Sequence, residues 1–167
     1  MGDDLERQYE KVWDEYSGAI RRLAGSYESA PELREDLLQE IRLALWKAMQ
    51  SFRGECSMRT FVYRVAHNRA LTHVWRRRAD TVYSDELPEV RDPRPSPESS
   101  AISKADQASL MTAIRKLPVQ YRQVITMVLE ELPQSEIAAV LGISENNVAV
   151  RLNRARNMLR VELGVKS

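Results

Sequence analysis

The chain has 167 residues, 43% of them apolar, enough for one ordinary globular domain or two small ones with genuine cores. A single cysteine, Cys56, excludes an intramolecular disulfide and gives no sign of an oxidising compartment. No stretch approaches the ~20 apolar residues of a membrane span, and the acidic N-terminus lacks a signal peptide's basic and apolar regions, so a cytoplasmic protein without membrane insertion is expected.

The formal net charge of +1 hides a strong segregation. Between Asp3 and Glu40 eleven acids face five bases, whereas from Arg53 to Arg78 seven arginines meet only Glu55. An acidic front, a basic middle, an acidic connector and a basic tail suit separate parts that meet separate partners.

From Asp4 to Tyr27 the apolar residues Leu5, Tyr9, Val12, Tyr16, Ile20, Leu23 and Tyr27 recur at three- and four-residue steps, which predicts an amphipathic helix. Ser29 with Glu32 reads as a capping box, and Pro31 is tolerated in a first turn, where no intrahelical donor is needed. A second helix follows, with Leu33, Leu37, Ile41, Ala44, Leu45, Ala48 and Phe52 as its buried stripe. Gly54 breaks it and Ser57 is the expected N-cap of a third helix running to about Arg78. That helix is apolar on two sides, with Phe61, Val65, Thr72 and Trp75 opposite Tyr63, Ala66, Ala70 and Val74. Either it is sandwiched between neighbours, which is the expectation, or one stripe waits for a partner.

Residues 79–103 carry four prolines, several serines and an acid excess, the composition of a flexible acidic linker. Helical periodicity resumes from about Lys104 to Lys116, stops at Pro118 and restarts through Tyr121, Val124, Ile125, Val128 and Leu129. Pro133 then suits the start of a short helix burying Ile137, Ala138, Val140 and Leu141; Gly142 permits a sharp turn, and Ser144 caps a last helix. The reading is all-α, with two small helical domains at 1–78 and 104–167 joined by the linker.

A short helix, a turn at Gly142-Ile143 and a longer helix have the spacing of a helix-turn-helix. At ~100° per residue, Val148, Leu152, Ala155 and Leu159 fall on one narrow arc and form the buried stripe. The other side carries Asn146, Asn147, Val150, Asn153, Arg154, Asn157 and Arg160. Asparagine is a poor helix former, and Val150 opposite the stripe wastes apolar area unless something covers it. A major groove resolves both, since asparagine can bond the N6 and N7 edge of adenine and a small apolar side chain can meet thymine's methyl group. Arg154 points outward, while Arg151 and Arg156 flank the stripe and grip phosphates or pack.

Together, DLLQE at Asp36 to Glu40, FRGECSMRTFVYRVAHN at 52–68, an arginine run, an acidic linker, LPxxYRxV at Leu117 to Val124 and RLxRAR at Arg151 to Arg156 resemble one family. In this order they are similar to a bacterial extracytoplasmic-function sigma factor of the sigma-70 family. The resemblance implies a region 2 helical bundle in front and a region 4 helix-turn-helix behind. It implies an alternative sigma factor that binds core RNA polymerase and directs promoter-specific initiation. Asp36, Gln39 and Glu40 would face the clamp helices of the largest polymerase subunit. The loop Arg53, Gly54, Glu55, Cys56 and Ser57 would receive a flipped −10 base. Asn68 would help bind the unpaired strand, and Arg76, Arg77 and Arg78 could hold phosphates. The −35 contacts fall on Ser144, Asn146, Asn147, Ala149, Val150, Arg151, Asn153 and Arg154. Phe61, Tyr63 and Trp75 are expected in the core rather than stacked on bases. Promoter DNA and an anti-sigma factor are the other implied partners.

The sequence departs from many relatives at Arg42, where an aromatic is common, at Phe61, often tryptophan, and at Thr72, near which an acid is usual. Ala149 and the pair Asn146-Asn147 imply an altered −35 preference. The competing reading is a helix-turn-helix regulator that acts without polymerase. An enzyme is not expected: His67 and His73 lie six residues apart, about 240° round a helix, which is not the spacing of a helical metal pair. No glycine-rich phosphate loop appears, Cys56 has no histidine partner in sequence, and no cofactor is implied.

Overall fold

A computed structural model describes residues 1–83 and 101–165, with side-chain surroundings for 1–80 and 104–165. Among the described residues there are seven helices: α1 (Gly2–Tyr27), α2 (Pro31–Met49), α3 (Met58–Tyr83), α4 (Ala101–Lys116), α5 (Val119–Leu129), α6 (Gln134–Leu141) and α7 (Glu145–Glu162). The all-α expectation holds. Helix α3 runs on to Tyr83 and α4 begins at Ala101, so both ends of the expected 79–103 linker are helical; the rest of that segment lies outside the described residues.

The front core forms where α1, α2 and α3 meet. Tyr9, Val12, Ile20 and Leu23 of α1 pack on Leu37, Leu38, Ile41 and Leu45 of α2 and on Val62, Ala66 and Ala70 of α3. The stripe read from α1 is therefore the packed one, although Leu5 and Tyr16 are only half-buried. Helix α2 starts differently from the expectation. Its N-cap is Ala30, with no side-chain cap, so the Ser29–Glu32 capping box does not form. Arg34 folds back instead and donates from Nη2 to the Ser29 carbonyl at 2.9 Å, while Pro31 at the first position leaves one fewer amide to satisfy.

The rear core gathers Ala113 and Ile114 of α4, Leu117 just after it, Val124, Ile125 and Met127 of α5, Ile137 and Val140 of α6, and the α7 stripe. Between α5 and α6 the chain turns through Glu131, a non-glycine residue at φ 63°, and the Leu132 amide reaches the Met127 carbonyl at 3.1 Å.

The two cores are docked on each other and α3 lies between them, so the sandwich is found, but not with the faces as read: Phe61 and Val65 of one stripe and Ala66, Ala70 and Val74 of the other all pack on the front core, and Thr72 is exposed. Val62, Ala66 and Ala70 face the front core, whereas Tyr63 is buried in the rear core, and the half-buried Tyr16 touches both. Trp75 corrects the expectation that all three α3 aromatics would be core: it is 59% exposed, and Phe61 is half-buried.

Candidate nucleic-acid interface

The rear site is built by capping chemistry. Gly142 takes the left-handed conformation at φ 67°, which a side chain would strain, and lets the Ile143 amide bond back to the Ala138 carbonyl at 3.1 Å. Two residues later the Ser144 hydroxyl accepts from the Asn147 amide at 3.1 Å, starting α7 where the sequence placed it. Val148, Leu152, Ala155 and Leu159 are all buried, which fixes the rotation of α7 about its axis. The opposite face is consequently held outward. Ser144, Asn146, Asn147, Asn153 and Arg154 are exposed, Val150 is 40% exposed, and Ala149 and Arg151 are half-buried at the margin. Arg156 is also exposed, and Arg160 reaches Asn157 Oδ1 at 3.3 Å near the far end. The polar groups most able to read base edges thus sit on the first three turns of a capped helix, with the positive helix pole at its start.

In the front unit, Gly54 at φ 76° turns the loop between α2 and α3, and Glu55 Oε2 accepts the Arg53 amide at 3.2 Å. Ser57 caps α3 as expected, its hydroxyl accepting the Thr60 amide at 3.1 Å. Arg53, Gly54, Glu55 and Ser57 are exposed and Cys56 is half-buried, with Arg64 Nη1 4.0 Å from its sulfur. Asn68 is exposed one helical stretch further on.

The seven arginines of 53–78 do not form one free basic strip. Arg69 and Arg76 reach Glu40 at 3.3 and 3.5 Å, and Arg77 grips Glu28 with contacts of 2.6 and 2.8 Å. Arg59 and Arg64 bond to the rear unit, to Glu136 at 2.5 Å and to the Ala139 carbonyl at 2.7 Å. Arg53 and Arg78 are exposed.

Glu28 anchors this part of α3, although the sequence reading counted it only as one more acid. It is buried and also meets His73 Nε2 at 2.9 Å. The pair His73 and Arg77, one turn apart on α3, was the only available hint. Glu40 turns toward Arg69, His73 and Arg76, whereas Asp36 and Gln39 remain exposed. Beside them a groove of about 400 Å³ between α1 and α2 is lined by Tyr9, Gln39, Arg42, Leu43 and Trp46. Leu43 is 54% exposed there, and Arg42 stacks over Trp13 at 5.1 Å.

His67 is fully buried beneath the seam between the units, its Nδ1 3.1 Å from the Tyr27 hydroxyl. Burial alone pushes its pKa down to about 3, so it is neutral at physiological pH, and burial pushes the Tyr27 hydroxyl well above the usual range. Arg122 of α5 lies over the Tyr27 ring at 5.3 Å. No group of three or more metal-ligating side chains occurs among the described residues, and no described helix is long and apolar enough to cross a membrane.

Comparison with known proteins places both units. Sigma-70 region 2 matches residues 12–80 and Sigma-70, region 4 matches residues 107–159. The chain is 28% identical over 164 residues to the ECF RNA polymerase sigma factor SigG of Mycobacterium tuberculosis, covering 83% of this chain and 43% of SigG. It spans less than half the length of that relative. It is 29% identical over 166 residues to the RNA polymerase sigma factor YlaC of Bacillus subtilis, covering 95% of this chain and 91% of YlaC.

Two solved structures share the fold. One is CnrH in complex with the cytosolic domain of CnrY, with a TM-score of 0.68 and 23% identity over 97% of this chain and 91% of that one. The other is the sigma factor RpoE in complex with the anti-sigma factor NepR from Bartonella quintana, with a TM-score of 0.75 and 22% identity over 98% and 99%. With a region 2 bundle in front, a region 4 helix-turn-helix behind and relatives that match along most of its length, the chain belongs to the sigma-70 family, among its extracytoplasmic-function members.

Proposed function

We propose that this chain is an alternative sigma factor, which joins core RNA polymerase and directs initiation at promoters chosen by its two helical units. The observation that carries the reading is the exposed face of α7. A capped, stripe-anchored helix presents Asn146, Asn147, Val150, Asn153 and Arg154 outward, in a chain whose front unit matches Sigma-70 region 2. In this role α7 enters the major groove of the −35 element and side chains of its first turns read base edges, while Arg151 and Arg156 at the margins favour phosphates.

The loop 53–57 and Asn68 form the −10 surface, Gly54 giving the loop its turn and Ser57 tying it to α3. Asp36 and Gln39, with Leu43 in the adjoining groove, are the polymerase-docking surface; an exposed acid and an amide beside an apolar side chain suit a basic partner helix pair. Glu40 acts there indirectly, by holding α3 through Arg69 and Arg76. An anti-sigma factor is an expected partner, since both structural neighbours were captured with partner proteins, NepR being an anti-sigma factor by description. A regulator that never meets polymerase would leave the region 2 match without a use.

The test is co-purification with core polymerase, followed by transcription in vitro from promoters selected by the holoenzyme from a random library. Association with core and initiation at one sequence class is the expected result. A chain that binds DNA but neither associates with core nor supports initiation is a regulator instead.

A further inference from the structure

We infer that the chain carries a binding site for a small, neutral aromatic alcohol: a cavity walled by α1, α3, α4 and α5, in which His67 bonds the ligand's hydroxyl. The site is separate from the surfaces assigned to polymerase and promoter DNA, and its test is independent of theirs.

Three observations carry it. First, the cavity measures about 270 Å³, with Leu23 of α1, Tyr63 of α3, Met111 of α4 and Leu129 of α5 among its wall. An apolar cavity of ~150 Å³ holds one benzene ring, so this one has room for two fused rings. Leu129 is 53% exposed on its open side, an apolar side chain that a ligand would cover.

Second, the buried polar groups of the wall are spent on protein partners, save one. Arg22 and Glu130 neutralise each other through a bidentate pair at 2.6 and 2.8 Å. The Ser26 hydroxyl donates to the Leu23 carbonyl at 2.6 Å, and the Thr126 hydroxyl to the Arg122 carbonyl at 2.9 Å. Among the buried polar side-chain atoms of this wall only His67 Nε2 has no protein partner, its Nδ1 being taken by the Tyr27 hydroxyl at 3.1 Å. A buried polar atom left unbonded costs free energy. Water suits it poorly, because a buried water needs two to four polar partners and the wall leaves one buried group free.

Third, the chemistry of that group selects the ligand. Burial holds His67 neutral, with a pKa of about 3, so it offers no charge to a carboxylate. Which ring nitrogen carries the proton follows from the direction of the Tyr27 bond; a hydroxyl both donates and accepts, and so satisfies Nε2 in either tautomer. The Tyr63 ring and the imidazole are stacked, 6.4 Å between centroids and 24° between planes, and both line the cavity, which favours a flat ring over a branched chain.

The test uses the full chain with 2-naphthol as the probe, and 2-methylnaphthalene as a control of the same shape without the hydroxyl. Binding is read from proton–nitrogen correlation spectra of the histidine rings. The chain has two histidines, and the signals missing in His67→Phe are those of His67.

The expected result is saturable binding of 2-naphthol that shifts His67 Nε2 and leaves the His73 nitrogens in place. The control should bind about tenfold more weakly, the worth of one hydrogen bond. His67→Phe should bind the two compounds alike, and Met111→Trp, which fills the cavity, should weaken both at least about tenfold. The inference is overturned if His67 Nε2 does not move in wild type, if wild type binds the two compounds equally, if folded His67→Phe keeps the preference, or if folded Met111→Trp binds as wild type does. The wild-type spectra decide the matter even where a variant fails to fold.

Discussion

His67 shows how a single side chain records the packing around it. It sits between Tyr27 of α1 and Tyr63 of its own helix, with Arg122 of α5 over the Tyr27 ring and no charged partner of its own. Its folded pKa of about 3 lies below the ordinary 6.5, so between these values the unfolded chain binds a proton that the native chain refuses. Stability is therefore expected to fall as pH drops from 6.5 toward 3, by up to about 1.4 kcal/mol per pH unit from this residue. Urea unfolding at several pH values should show a shallower decline in His67→Gln than in wild type; equal slopes would mean that the imidazole protonates in the folded state. On the DNA side, Asn153→Ala is expected to relax base preference at one position of the −35 element. The discrimination lost there should be about 1–3 kcal/mol if the amide reads adenine with both its atoms, checked by repeating the library selection with the variant holoenzyme. Unchanged preference would remove Asn153 from the readout. Only the exposure of Asn153 was legible, as a poor helix former opposite the buried stripe, whereas nothing in the neighbourhood of His67 in sequence signals Tyr27, forty residues earlier.

At the level of the helix, local chemistry was the better guide. Ser144 and Ser57 cap α7 and α3 as read, because a hydroxyl two or three residues before the first free amides needs no distant partner to bond them. Ser144→Ala should cost about 1 kcal/mol, seen as a lower urea midpoint with unchanged slope, and should weaken −35 binding by loosening the first turn of α7. The start of α2 failed as a capping box for a reason equally local. Arg34 reaches back to the Glu28 and Ser29 carbonyls and Pro31 removes a donor, so the Ser29 hydroxyl has no claim on the turn. Helix α3 lies between these cases. Its all-round apolar pattern announced burial between neighbours, but members of both stripes pack on the front core while Tyr63 reaches the rear one.

For the molecule as a whole, α3 is the shared wall, and the cores are coupled through it. Tyr63→Ala lies in the front unit by sequence but empties part of the rear core. It should cost about 3 kcal/mol and raise amide exchange in α5 and α6; a loss of protection confined to α1–α3 would show that the units open independently. Sequence alone determined the seven helices, the buried stripes of α1 and α7, the cap of α7 and the family, because periodicity, caps and turn glycines act within a few residues and leave their mark in the chain order. Tertiary structure alone decided which arginines are free. Whether a guanidinium in the run from Arg53 to Arg78 meets Glu28, Glu40, Glu136 or solvent depends on which helix lies across from it, and that juxtaposition comes from burial shared between distant segments, with no periodic trace in the sequence.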